Sequence, residues 1–301
     1  MTAVTLDANG LTFDTESFGD PSGEAMLLLC GLGSQRISWS SGFVEALTLR
    51  GFRVVTMDNR DAGLSTKLKH LGVPDLRRLR SAATLGPSDV PYTVLDMADD
   101  VAGVLDALGL ENAHIVGRSM GGLVAQALAA RYPERVTSVS LLVSTSAASE
   151  LWPLPPNIED LLFSAGPSGT PVDRDALLDA SVETDRLYAS PAYPFDVAER
   201  RALAAACFDR CYDPAGAARQ SAALLHAFLG DAFPVQVRRP ALVVQGMDDT
   251  IFPPLHGRDL ARRIRGARLL EVPGMGHDLE GDAVRIVTEA VVELARSRLE
   301  S

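Results

Sequence analysis

A chain of 301 residues with 47% hydrophobic content can bury one large core, or a core with an insertion, and reads as an enzyme-sized globular protein. The formal net charge of −11 leaves no basic face for a phosphate backbone or an anionic lipid, which argues against nucleic acid as a partner. No stretch approaches the ~20 apolar residues of a membrane helix, and residues 1–10 lack a signal-type basic and apolar region, so the expectation is a cytoplasmic monomer or homodimer with no membrane partner.

Residues 4–7 and 11–18 are β-type runs around Asn9-Gly10, a dipeptide suited to the positive φ angles of a tight hairpin. Residues 26–30 form the continuous apolar run of a buried parallel strand, ending at Gly31-Leu32-Gly33. A dinucleotide loop would need a third glycine where Arg36 stands, so no nucleotide cofactor is expected. A glycine pair also lets a backbone N–H approach a ligand, and Leu32 N–H is the candidate. Trp39 either walls the same pocket or anchors the helix that follows.

Residues 52–57 form the next strand and lead into Asp58-Asn59-Arg60-Asp61-Ala62-Gly63-Leu64-Ser65, dense in hydrogen-bonding groups and expected to tie loops together rather than to catalyse. Residues 67–91 are an irregular, proline-bearing excursion. Residues 93–108 place Val94, Met97, Val101, Val104, Leu105 and Leu108 on one face of an amphipathic helix.

Around residues 114–130 an apolar β-type run stops at Gly117-Arg118-Ser119-Met120-Gly121, and an alanine-rich helical pattern starts directly behind it. Strand, sharp turn and helix hold the central serine at the apex of a strained turn, with glycines letting strand and helix pass closely. Ser119 is therefore the candidate nucleophile, and its own helix N-terminus offers N–H groups where an oxyanion forms.

A serine hydroxyl needs a base, and the base needs an acid to orient it. Residues 136–143 are a strand, after which prolines at 153, 155, 156, 167, 171, 191, 194 and 214 and helical patterns at 198–208 and 215–229 predict an inserted helical cap, residues 147–231, between core residues 1–146 and 232–301. Strand character returns at 241–245, followed by Gly246-Met247-Asp248-Asp249, which puts carboxylates at the carboxyl end of a parallel strand. Asp249 is the acid on spacing, with Asp248 bonding nearby. After an amphipathic helix and a strand at 267–272, His277 closes Pro273-Gly274-Met275-Gly276-His277 on a short loop and is the base. His70, His114, His226 and His256 are expected to be surface or packing residues, and residues 283–299 a closing helix.

The serine–acid–histidine order belongs to one hydrolase architecture. Over nearly its whole length the chain resembles the α/β-hydrolase superfamily. In Gly31-Leu32-Gly33, Gly51-Phe52-Arg53-Val54-Val55, Asp58 to Ser65 and Pro273 to His277 it is similar to the aclacinomycin methylesterase-like esterases. The resemblance implies a mostly parallel sheet with helices on both faces, Ser119 as nucleophile, Asp249 as acid, His277 as base, and an oxyanion hole from the Leu32 and Met120 amides. Cys30 stands where many members carry histidine before the glycine, a departure that a backbone-built hole tolerates.

The expected activity is hydrolysis of a small, neutral, moderately hydrophobic carboxylic ester through an acyl-enzyme, with no cofactor and no metal. Lactonase, carbon–carbon bond hydrolase and perhydrolase chemistry use the same triad, and a catalytically silent binding protein would keep the fold. Cys207 and Cys211 lie one helical turn apart with only Asp209 beside them, too few ligands for zinc, and with Cys30 they read as free thiols. Among the candidate pocket residues are Trp39, Trp152 and Phe252. The cap adds the aromatics Phe163, Tyr188, Tyr193, Phe195, Phe208 and Tyr212, more than surface helices need, which either line the pocket or pack the cap onto the core.

Overall fold

Asn9 and Gly10 turn with φ of 52° and 76°, the two-residue geometry that these residue types accept. They join β1 (Thr2–Ala8) to β2 (Leu11–Phe18) in an antiparallel pair. The computed structural model describes residues 2–163, 173–230 and 236–297. Pro167, Pro171, the 231/232 boundary and positions 298–299 of the expected closing helix lie outside these described residues. Six more strands follow: β3 (Ala25–Leu29), β4 (Arg53–Met57), β5 (Ala113–Arg118), β6 (Val136–Leu142), β7 (Ala241–Gly246) and β8 (Arg268–Val272). The helices in chain order are α1 (Ser41–Thr48), α2 (Leu76–Arg80), α3 (Val94–Ala107), α4 (Met120–Arg131), α5 (Pro156–Phe163), α6 (Arg174–Tyr188), α7 (Val197–Arg210), α8 (Pro214–Leu229), α9 (Pro254–Arg263) and α10 (Asp282–Arg296).

One sheet runs β1-β2-β4-β3-β5-β6-β7-β8. β2 pairs antiparallel with β4, and every pair from β4 to β8 is parallel. Parallel strands covered on both faces must be apolar on both, and alternation divides them cleanly. Leu27, Leu29, Ile115, Leu141 and Val243 enter one cluster with residues of α3, α4 and α9. Met26, Leu28, Val116, Leu142 and Val244 enter the other with residues of α1 and α10. The chain leaves β3 for β4 on one side and returns to β5 on the other, so the loops at the carboxyl ends of β3 and β5 diverge and open a crevice.

Helix ends follow local chemistry. Thr93 lies outside α3 as its cap, accepting the Asp96 N–H while the Asp96 carboxylate accepts the Thr93 N–H, so the helix begins with its apolar pattern at Val94, one residue later than the expected 93–108 span. Between β6 and β7 the insertion carries α5 to α8. α7 and α8 start at the aspartate caps Asp196 and Asp213. α5 and α6 have no counterpart in the sequence-level expectation. α8 is also more than a cover, because Leu224, Leu225 and Phe228 belong to the same buried cluster as α3 and α4. Among the described residues, no helix is long and apolar enough to cross a membrane.

Candidate active site

Ser119 sits between β5 and α4 with φ 55° and ψ −122°, a backbone conformation that an L residue adopts only under constraint from its surroundings. The constraint is visible. Ser119 N–H donates to the Leu142 carbonyl at 2.9 Å, and the Ser144 hydroxyl donates to the Ser119 carbonyl at 2.8 Å. A Cβ on Gly117 would lie 2.2 Å from the Gly121 oxygen, and one on Gly121 would lie 2.3 Å from the Leu29 oxygen. Glycine at both positions is what lets α4 cross β5 and β3 closely enough to form the turn.

The aspartate and the histidine come from the loops after β7 and β8, further along the same sheet. After β7, Asp249 is buried, and its Oδ1 accepts N–H groups from Ile251 at 2.8 Å and Phe252 at 3.0 Å. Its Oδ2 lies 2.8 Å from His277 Nδ1. Two backbone donors orient this carboxylate and offset the cost of burying its charge. Asp248 has a different task, with Oδ2 accepting the Gly274 N–H at 2.9 Å. The bond at Nδ1 leaves His277 Nε2 as the ring nitrogen for another partner.

The loop after β3 lies against the serine: a Cβ on Gly31 would be 3.2 Å from Ser119 Cβ and 3.7 Å from its Oγ. Leu32 N–H and Met120 N–H, the latter at the first residue of α4, donate to no acceptor among the described residues. Gly33 N–H, by contrast, is held by Gln220 Oε1 of α8 at 2.7 Å.

The Asp58 to Ser65 stretch is a structural network, and it reaches further than the sequence suggested. Asp58 accepts N–H groups from Arg36 at 2.6 Å and Leu64 at 2.9 Å and pairs with Arg210 of α7 at 2.7 Å. Asp61 takes Arg219 of α8 in a two-pronged pair at 2.7 and 2.8 Å. Asn59 donates to the Cys30 carbonyl at 3.1 Å. The loop after β3, this stretch and the inserted helices therefore share one buried polar seam.

Residues 24–280 match the alpha/beta hydrolase fold family. The chain is 29% identical over 305 residues to rhodomycin D methylesterase DauP of Streptomyces sp. (strain C5), covering 93% of each. It is 30% identical over 292 residues to rhodomycin D methylesterase DnrP of Streptomyces peucetius, covering 89% of this chain and 90% of that one. The enol-lactonase of Burkholderia xenovorans LB400 superposes with a TM-score of 0.69 at 25% identity, over 98% of this chain and all of that one. The chain belongs to the α/β-hydrolase fold family. Its likeness to the two methylesterases supports carboxylic ester hydrolysis.

An aromatic row leads from the hydrolase's histidine into the insertion. The Phe252 ring stands edge-on to His277 at 5.7 Å, Phe228 lies 6.4 Å from Phe252, Trp152 lies 5.5 Å from Phe228, and Phe163 lies 5.8 Å from Trp152. Tyr188 stands edge-on to His277 from the other side at 6.1 Å. Trp39 is buried, stacks on Phe43 of α1 at 5.7 Å and lies under the Arg118 guanidinium at 5.4 Å, so it anchors α1 and touches the elbow through the residue before the serine. Phe195, Phe208 and Tyr212 join no such row: arginines of the insertion stack on Phe195 and Phe208, and Tyr212 stacks on Phe208.

Of the remaining histidines, His114 bonds Ser138 at 2.8 Å and His256 bonds Thr145 at 2.9 Å, both buried. Burial holds the pKa of both below the usual imidazole value, that of His256 at about 4. Burial likewise pushes the Cys30 thiol up to about 12, an inert sulfur beside the loop. An open cleft of about 420 Å³ lined by Arg60, Asp96, Asp100 and Tyr132 contains none of Ser119, Asp249 and His277. Sequence reasoning missed Phe228, Ser144, Ser190 and Asp278. Only Asp278, a carboxylate directly after the histidine, carried a readable signal.

Proposed function

We propose that this hydrolase cleaves a carboxylic ester through an acyl-enzyme on Ser119. The observation that carries the reading is the constrained Ser119 turn together with a histidine whose Nδ1 is engaged by a buried, doubly anchored aspartate. His277 Nε2 takes the serine proton as Oγ attacks the ester carbonyl, and Asp249 holds the ring in the tautomer that makes this possible and stabilises the imidazolium. The negative charge that develops on the carbonyl oxygen is met by Leu32 and Met120 N–H. Collapse expels the alcohol with the proton from His277, and a water activated by the same nitrogen hydrolyses the acyl-serine. All of these steps use side chains and amides of the chain itself, without a cofactor.

The inserted segment, residues 147–231, acts as a cap that selects the substrate. Trp152, Phe163, Phe228 and Phe252 supply apolar surface for a neutral, moderately hydrophobic acyl or alcohol group.

A fluorophosphonate probe and a panel of methyl esters, longer esters and lactones test the reading. The wild type labels covalently at Ser119 and turns over members of the panel. Ser119→Ala abolishes labelling and lowers turnover by about 10⁴ to 10⁶ while the fold persists, because the triad acts as a unit and the oxyanion donors remain. Wild-type turnover in Ser119→Ala would remove the serine from the mechanism.

A further inference from the structure

The loops that carry the acid and the base are both bonded to one stretch of the cap, residues 187–192 at the end of α6. His277 N–H donates to the Tyr188 carbonyl at 2.8 Å, and Ala192 N–H donates to the Gly274 carbonyl at 3.2 Å. The Thr250 hydroxyl, one residue beyond Asp249, donates to the Leu187 carbonyl at 3.0 Å. Gly276 N–H donates to the Ser190 hydroxyl at 2.8 Å, and the contact there is so close that a Cβ on Gly276 would lie 2.5 Å from the Tyr188 oxygen.

What fixes this stretch is Asp278, the residue after the histidine, which is 5% exposed. Its Oδ1 takes the Ser190 N–H at 2.9 Å and also the Ser190 hydroxyl, and its Oδ2 takes Arg200 Nη2 of α7 at 2.5 Å. A buried carboxylate is costly unless paired, and this one spends all its bonds joining the base loop to the cap. Among the described residues it bonds neither Ser119 nor the His277 ring.

We propose that Asp278 is a positioning residue: with Ser190 and Arg200 it clamps the histidine loop to the cap and so holds the His277 ring in line between Asp249 and Ser119. The inference rests on the reading of His277 as base. Misplacing a catalytic group by an ångström costs on the order of 10²-fold in rate, without requiring any change in substrate binding.

The test uses the full chain with Asp278→Asn, Ser190→Ala, Arg200→Ala and Arg200→Lys, assayed on a chromogenic ester, with His277→Ala as control. Asp278→Asn lowers kcat by about 10²-fold with KM within about twofold, and Ser190→Ala lowers it by roughly tenfold. Arg200→Lys recovers most of what Arg200→Ala loses. The downfield proton resonance of the His277–Asp249 bond shifts or broadens in Asp278→Asn. Wild-type kcat in Asp278→Asn, or a loss explained by the unfolded fraction with that resonance unchanged, would overturn the proposal. Should Asp278→Asn not fold, Ser190→Ala, which removes one hydroxyl, decides by the same criteria. If His277→Ala retains turnover, the base assignment falls instead, so the two failures are distinguishable.

Discussion

His277 Nδ1 lies 2.8 Å from Asp249 Oδ2, whereas the neighbouring Asp248 bonds the Gly274 N–H at 2.9 Å. Two adjacent carboxylates thus have separate tasks. On the proposed mechanism, Asp249→Asn removes the charge that stabilises imidazolium and the acceptor that selects its tautomer, and lowers kcat by up to about 10⁴. Asp248→Asn keeps an acceptor for Gly274 and lowers kcat by less than about tenfold. Steady-state kinetics on both variants check this, and the reverse ranking would reassign the acid.

The elbow glycines make a prediction about backbone approach. Gly121→Ala drives a Cβ to 2.3 Å from the Leu29 oxygen and 2.7 Å from the Cys30 oxygen, both backbone atoms that cannot rotate away. It destabilises the fold by about 1 to 3 kcal/mol and removes most of the activity, because β3 carries the loop opposite Ser119. Gly42→Ala in α1, whose Cβ meets nothing closer than 3.7 Å, leaves activity intact and changes stability by no more than about 1 kcal/mol. Urea melts and ester assays on the pair provide the comparison.

The Arg219–Asp61 pair joins α8 to the loop after β4, with Arg219 1% exposed. Arg219→Met leaves Asp61 without its bidentate partner and destabilises by about 3 to 5 kcal/mol. In Asp61→Asn/Arg219→Met the lone charge is gone, asparagine tolerates the φ of 64° at that position, and its oxygen can keep the Leu68 N–H bonded at 2.7 Å. The double variant is therefore less destabilised than the sum of the single ones. A double-mutant cycle from denaturation midpoints measures the difference, and strict additivity would count against the pair.

His256 gives the stability curve a direction in acid. Its folded pKa, about 4, lies below the ordinary value of 6.5, chiefly because burial disfavours the charged ring. As pH falls from about 6.5 to about 4 the unfolded chain binds a proton that the folded chain refuses, so stability is full above this window and is lost within it, by up to about 3 kcal/mol. His114, shifted in the same direction by burial, adds to the loss. Tm measured from pH 7 to pH 4 falls, and falls less in His256→Gln; an equal slope in the two proteins would exclude His256 as a source.

Much of this was legible in the chain because it depends on local order. A strand, a glycine-flanked serine and a small-residue helix state the elbow in consecutive residues, since the strain is relieved only by residues within the turn and its flanks. Asn9-Gly10 is equally local, and the apolar runs at 26–30 and 241–245 identify strands covered on both faces. The order serine, aspartate, histidine selected the architecture without any coordinates.

Contacts between segments distant in sequence were decided only by the tertiary structure. Nothing near Asp61 announces Arg219, 158 residues away, and nothing near His277 announces the Tyr188 carbonyl that holds it. Phe228 reads as one more apolar position on α8, and it joins Phe252 to Trp152 only because α8 folds into the main core instead of lying on its surface. Periodicity states which face of an element is apolar; which partner covers that face, and which buried charges meet across it, depends on how the inserted helices close over the sheet.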